Sequence, residues 1–343
     1  MAVRPPGELN LIYLGCTPPA AEAFAPSDGY CPGNKAFLLH FLERVIRAKV
    51  NPVTSFADFF AGSGSVASHF AAAGARVVAN DLRRASFIMN SAFLLANSSN
   101  VQRDKLQQVA AYLGALSGRP GPLARRLASV LGAELAGRVQ AWRTAIADLA
   151  AAGRLTDHEE TVLVAAVLQA VGRKLAGWDR GKPGARLVLP RLADFRQSHA
   201  VFQREAGELV REVEAEVLYL DPPLGRETGD EGLALLEDVA WGGTGRPGDG
   251  RGKAGWSPVT QAVWADPARA SKALAGLIAG ARCRHLFLSY SSQGVIANRT
   301  IWDLLKTRGR PECFEWEHSV VTGSGSGRVT ERLFYCALRA DPE

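Results

Sequence analysis

Phe56-Ala57-Asp58-Phe59-Phe60-Ala61-Gly62-Ser63-Gly64-Ser65 changes character halfway along: the apolar, β-prone run of residues 53–60 gives way to small residues and two glycines. The next stretch, SVASHFAAAGA from Ser65, has the composition of a helix with Gly74 near its C-terminus. A second short apolar run, ARVVAND, then ends on Asn80 and Asp81. Strand, glycine turn, helix and strand make a βαβ unit, which predicts an α/β fold with a parallel sheet. Glycines let a backbone approach a ligand closely and a helix N-terminus offers unpaired N–H groups, so a nucleotide-like cofactor is the expected guest of the turn.

Taken alone, the turn is ambiguous. Gly62, Gly64 and Ala67 also satisfy the G-x-G-x-x-A dinucleotide fingerprint, with Asp81 about 20 residues on as a ribose-binding acid. A glycine turn that only lets helix and strand pack fits as well. Two features favour another reading. Asp58 ends the strand just before the turn, where a carboxylate pairs with the ammonium of a methionine moiety but repels a pyrophosphate. Leu220-Asp221-Pro222-Pro223 ends another apolar strand, EVLYL, and the Pro-Pro step holds its backbone extended with a carbonyl free of local donors. A carboxylate (Asp221) and a backbone carbonyl (Pro222) can accept both hydrogens of an aromatic amino group and draw its nitrogen towards tetrahedral geometry. Positioning and electrostatics then supply most of the rate of a methyl transfer.

Outward from these motifs, residues 36–48 (AFLLHFLERVIRA) place Phe37, Leu38, Phe41, Leu42 and Val45 at helical spacing. From about 100 to 200 the chain turns to Ala, Leu, Arg and Gln with helical periodicity, which predicts a mainly helical insertion. GLALLEDVA, ARASKALAGLIAGA and NRTIWDLLKTRG read as helices, RHLFLSYSS as a strand, and CFEWEHSVV with RVTERLFYCALR as a hairpin around TGSGSG. Residues 242–258 hold too much Gly and Pro for regular structure and form a basic loop.

The 343 residues, 47% hydrophobic, suffice for one large core or two unequal domains. No apolar run spans a bilayer, and MAVRPPGELN lacks the pattern of a signal peptide, so a cytoplasmic protein with no membrane partner is expected. Five scattered cysteines (Cys16, Cys31, Cys283, Cys313, Cys336) with no C-x-x-C pair predict reduced thiols and no metal site. A formal charge of +6 is compatible with a polyanionic partner and common without one.

With these elements in order, the sequence resembles the Dam-like, alpha-class adenine-N6 DNA methyltransferases. Tyr30-Cys31-Pro32-Gly33-Asn34-Lys35 resembles the family's N-terminal Y/W-x-G-x-K element, which implies that Tyr30, Gly33 and Lys35 lie against the methionine end of the cofactor. FADFFAGSGS resembles the cofactor loop, implying contacts from Asp58, Phe60, Gly62 and Gly64, and Ala79-Asn80-Asp81 resembles the "ND" whose acid binds the cofactor ribose. LYLDPPL resembles the catalytic D-P-P-Y, so that Asp221, Pro222, Pro223 and Leu224 form the catalytic tetrapeptide, with Asp221 also beside the cofactor. Gly225-Arg226, HLFLSYSSQGVI and TERLFYC resemble later family elements. The resemblance implies a Rossmann-like S-adenosylmethionine-dependent methyltransferase sheet formed by residues 1–99 and 200–343. It implies that residues 100–199 are an inserted target-recognition region and that the substrate is duplex DNA with a flipped adenine. A restriction endonuclease is a candidate partner; the sequence gives no oligomeric state.

Leu224 departs from the family, which carries there an aromatic residue stacked on the flipped base. Stacking is worth about 1–3 kcal/mol per base, so target binding is expected to weaken while the amino-group acceptors remain. Tyr290 and Trp241 are the aromatics available to compensate, Tyr290 being equally at home in the core. Glu205 sits where relatives carry an acid near the cofactor adenine. The arginine-rich helices at 125–143 read as solvated faces, and His158 and His199 as surface or cap residues. Two alternatives stay open: a weakened relative that binds DNA or cofactor and regulates, and an amino-methyltransferase of RNA or of cytosine N4, against which Asp221 in place of Ser or Asn argues.

Overall fold

The computed structural model describes residues 38–175, 187–225, 231–243, 258–322 and 325–338. In chain order, α1 (Leu39–Lys49), β1 (Ser55–Asp58), α2 (Ser65–Ala72), β2 (Arg76–Asn80) and α3 (Arg84–Leu94) come first. Four helices follow with no strand between them: α4 (Arg103–Ala115), α5 (Pro122–Leu131), α6 (Ala133–Ala151) and α7 (Asp157–Leu175). Then come β3 (Ala200–Phe202), the single turn α8 (Ala206–Leu209), β4 (Glu214–Leu220), α9 (Glu231–Ala240), α10 (Pro258–Ala265) and α11 (Pro267–Gly280). β5 (Arg282–Ser291), α12 (Asn298–Lys306) and the hairpin β6 (Gly309–Thr322) and β7 (Gly325–Leu338) complete the described chain.

The strands form one sheet in the order β3-β2-β1-β4-β5-β7-β6, parallel from β3 to β5 and antiparallel at the hairpin. Period-two alternation sorts the side chains onto its faces. Phe56, Val77, Val217 and Phe287 bury against α1 and α2, while Ala57, Val78, Leu218 and Leu286 bury on the side of α11 and α12. This is the expected doubly wound α/β sheet. From β1 the chain winds out to β2 and β3, then crosses back to β4 and β5. The order therefore reverses between β1 and β4, and ligands of open α/β sheets bind at the carboxyl ends of strands flanking such a reversal.

The helical stretch after residue 100 is present as α4–α7, but its core is not its own. Leu106, Leu127, Trp142 and Leu163 share one cluster with Ile88, Met89 and Phe93 of α3 and with Leu235, Leu236 and Val239 of α9. The apolar periodicity did not reveal α3, whose apolar residues run almost all round it, nor β3, α8 and α10, which are too short to carry a period. Tyr30, Gly33, Lys35, Phe37, Cys16, Cys31, Arg226 and residues 244–257 of the basic loop lie outside the described residues.

Candidate active site

Asp58 ends β1 directly opposite Tyr219 of β4, and the Phe59 N–H reaches the Tyr219 carbonyl at 3.3 Å. Its carboxylate is sealed from solvent, with 1% of the residue exposed, and Oδ1 has no hydrogen-bond partner. Burial first, then the charge of Asp221, push its pKa well above the usual carboxylate range; Asp81 adds to this and a hydrogen bond from the Phe60 backbone opposes it. Three acids thus converge on the carboxyl edge at the reversal point. Among the described residues no group of His, Cys, Asp or Glu has the arrangement of a metal site.

The glycine turn is held by groups from the next strand and helix. Gly62 donates its N–H to Asp81 Oδ2 and Arg83 donates its own to Oδ1, both at 2.8 Å. Each carboxylate oxygen keeps a second lone pair for a hydroxyl donor. Ala61 N–H bonds the Asn80 carbonyl at 3.0 Å, and Asn90 Nδ2 reaches the Gly62 carbonyl at 3.2 Å. Gly64 has φ +81°, and a Cβ there would stand 2.9 Å from Asn90 Oδ1, so the turn demands glycine for both conformation and room.

Beyond β4, Asp221 is part-exposed and Pro222 buried. The Leu224 carbonyl accepts from Val295 N–H at 3.2 Å. Gly225, at φ +83°, passes so close to α10 that a Cβ would run into the Trp264 carbonyl. Leu224 packs against the cluster that contains Trp264, and the Trp264 ring meets Phe60 edge-on at 5.6 Å between centroids. Trp264 thus joins the glycine turn after β1 to the turn after β4; its only trace in the sequence is an aromatic in the short apolar stretch after the Gly-rich loop.

The two aromatics available to compensate for the missing one are engaged elsewhere. Tyr290 is core: it is 1% exposed, its hydroxyl accepts from Ile296 N–H at 2.9 Å, and its ring fills the space that a side chain at Gly294 would need. The Arg84 guanidinium carbon lies over the Trp241 ring, 4.5 Å from its centroid. The arginines of 125–143 are not merely solvated. Arg143 Nε and Nη2 donate to the Val239 and Ala240 carbonyls at 2.8 and 3.2 Å, Arg126 pairs with Asp238 at 3.1 Å, and Arg138 bonds the Gly114 carbonyl at 3.2 Å. Carbonyls at helix ends attract such cations, and that attraction leaves no sequence period. His199 accepts from the Val77 N–H of β2 at 3.1 Å, and burial lowers its pKa. His158 is half-buried in the first turn of α7, and Glu205 is exposed at the start of α8.

Residues 32–111, which take in Asp58, the glycine turn and Asp81, match the family of D12 class N6 adenine-specific DNA methyltransferases. Over these residues the chain is similar to that family. Curated relatives extend the similarity past Asp221. Type II methyltransferase M.FokI of Planomicrobium okeanokoites is 26% identical over 312 residues, covering 82% of this chain and 47% of its own. Type II methyltransferase M.NlaIII of Neisseria lactamica is 22% identical over 307 residues, 83% of this chain and 90% of its own. Modification methylase StsI of Streptococcus sanguinis is 24% identical over 305 residues, 80% and 45%. The chain therefore spans about half the length of M.FokI and StsI and most of M.NlaIII. Among solved structures, magnesium protoporphyrin IX methyltransferase of Synechocystis PCC 6803 aligns over 87% of this chain and 78% of its own at 11% identity, with a TM-score of 0.33, too faint a likeness to bear on function.

Proposed function

We propose that this chain transfers a methyl group from S-adenosylmethionine to the N6 amino group of adenine in DNA. The observation that carries the reading is the meeting of Asp58, Asp81 and Asp221 at the carboxyl edge where the strand order reverses. The residues fit the cofactor. Asp58 Oδ1, buried and without a partner, suits a cationic amino group, and Asp81 has lone pairs for ribose hydroxyls while fixing the Gly62–Gly64 turn. A dinucleotide fits less well, since a buried acid beside the turn opposes a pyrophosphate.

When bound, S-adenosylmethionine supplies an electrophilic methyl on a sulfonium. The protein's part is to hold the amine: Asp221 and the Pro222 carbonyl accept its hydrogens, so the nitrogen lone pair turns away from the ring and towards the methyl. No histidine is needed to remove a proton before attack. Tyr30, Gly33, Lys35 and Phe60 complete the proposed cofactor contacts, and Pro223 and Leu224 the wall against the base. Adenine reaches this wall only when extruded from the duplex. The helices α4–α7 are proposed to read the DNA sequence, and a restriction endonuclease of the same specificity is the proposed partner.

The test is incubation with labelled S-adenosylmethionine and mixed DNA, followed by identification of the modified nucleoside by mass spectrometry. N6-methyladenine from the wild type and none from Asp221→Ala, which should keep the fold, is the expected result. No product from the wild type despite intact cofactor and DNA binding would instead support a regulatory relative weakened by Leu224, and N4-methylcytosine would reassign the target.

A further inference from the structure

We propose that Arg84, stacked on Trp241 and backed by Arg143, contacts a backbone phosphate of the DNA substrate; the proposal rests on the reading of DNA as substrate. Arg84 opens α3, three residues after Asp81, and so stands at the same edge of the sheet as the acids. The carbon of its guanidinium lies over the Trp241 ring, 4.5 Å from the centroid, a cation–π contact that holds the group in place. That side chain has no carboxylate partner among the described residues, and its Nε is shielded from solvent with no hydrogen bond.

The acids around it are otherwise engaged. Glu237 accepts the backbone N–H groups of Ala85 at 2.8 Å and of Arg84 at 3.3 Å, Asp238 pairs with Arg126, and Asp81 holds Gly62 and Arg83. A second cation approaches the same turn from α6. Arg143 bonds the Val239 and Ala240 carbonyls, comes within 3.2 Å of where a Cβ on Gly242 would lie, and has an Nη1 buried without a partner. Burial lowers the Arg143 pKa to about 10; Glu160 opposes this and the charge of Arg84 adds to it. Two guanidiniums thus converge on the consecutive residues Trp241 and Gly242. The carbonyls at the end of α9 satisfy only part of one of them. A phosphate oxygen suits the Nη end of the Arg84 guanidinium, and Arg143 strengthens the field that attracts it.

Duplex binding by the full chain, measured across a salt series for wild type, Arg84→Gln and Arg84→Lys, tests this, with S-adenosylmethionine affinity as the check on folding. Arg84→Gln is expected to weaken duplex binding roughly tenfold at low salt, on any sequence, and to reduce the log–log salt slope by about one. Arg84→Lys should fall between, because it keeps the charge without the planar fork. Scanning the duplex with single uncharged methylphosphonates should reveal one linkage whose neutralisation weakens the wild type but not Arg84→Gln. Wild-type affinity and slope in Arg84→Gln would overturn the contact, as would a parallel loss of cofactor binding, which would mark Arg84 as structural. Absence of duplex binding by the wild type would overturn the DNA reading and this contact with it.

Discussion

Asp58 carries a stability cost that the proposed cofactor contact would offset. Burial and Asp221 raise its pKa above the ordinary carboxylate value, so the folded chain holds the proton more tightly than the unfolded one. Stability therefore falls as pH rises from the ordinary value through the raised one, and above that the full penalty of a buried, unpaired charge is present. Asp58→Asn is expected to raise the melting temperature of the free protein at neutral pH, with the gap to wild type narrowing as the pH falls through that window. The same change should weaken S-adenosylmethionine binding about tenfold or more, since a hydrogen bond to a charged group is worth roughly 1.5–3 kcal/mol. Melting curves against pH together with calorimetric titration check both signs; tighter cofactor binding by the variant would sink the assignment. At Leu224 the expectation is a gain: Leu224→Tyr adds a stacking surface worth about 1–3 kcal/mol and should lower the KM for DNA without changing that for the cofactor. An unchanged KM would mean that Trp264 already fills the wall. The three acids were legible in the sequence because each ends or directly follows an apolar strand. Asn90, Glu237 and Arg143 were not, since they act on backbone groups far along the chain and backbone groups leave no pattern to read.

At the scale of elements, α9 is the joint of the site. Glu237 at its end caps the first turn of α3, Arg143 and Arg126 hold its C-terminus, and its apolar face enters the core of α3–α7. Glu237→Ala would leave two backbone N–H groups at the start of α3 without acceptors, a loss of about 1–3 kcal/mol for buried donors, readable as a lower urea midpoint. An unchanged midpoint would mean that water replaces the cap. The start of the connection after β4 is equally constrained at Gly225. Gly225→Ala must adopt φ +83° at a cost of roughly 1–2 kcal/mol and must push the Trp264 carbonyl aside, so methyl transfer should fall further than cofactor affinity. Strands β1, β2, β4 and β5 were legible from their apolar runs and turn residues. β3 and α10 were not: three half-buried residues and a two-turn helix are placed by their neighbours rather than by their own periodicity.

For the whole molecule, the shared core of α3–α7 and α9 predicts that the helical region cannot be removed cleanly. A chain lacking residues 103–175 would expose Ile88, Met89, Phe93, Leu235, Leu236 and Val239 to water, each worth about 1.5–3 kcal/mol when buried. It is expected to lose cooperative unfolding and near-ultraviolet dichroism, whereas a sharp transition in the shortened chain would show the sheet to be self-sufficient. The order of strands also has a consequence for synthesis. β6 touches the sheet only through β7, which is made after it and must slot between β6 and β5. Until residues 325–338 leave the ribosome, the β5 edge, with Phe287 and Leu288 beside it, stands open as a template for any passing strand, and β6 waits across a gap one strand wide. A nascent chain paused in that interval should be the form most prone to aggregate and most dependent on a chaperone.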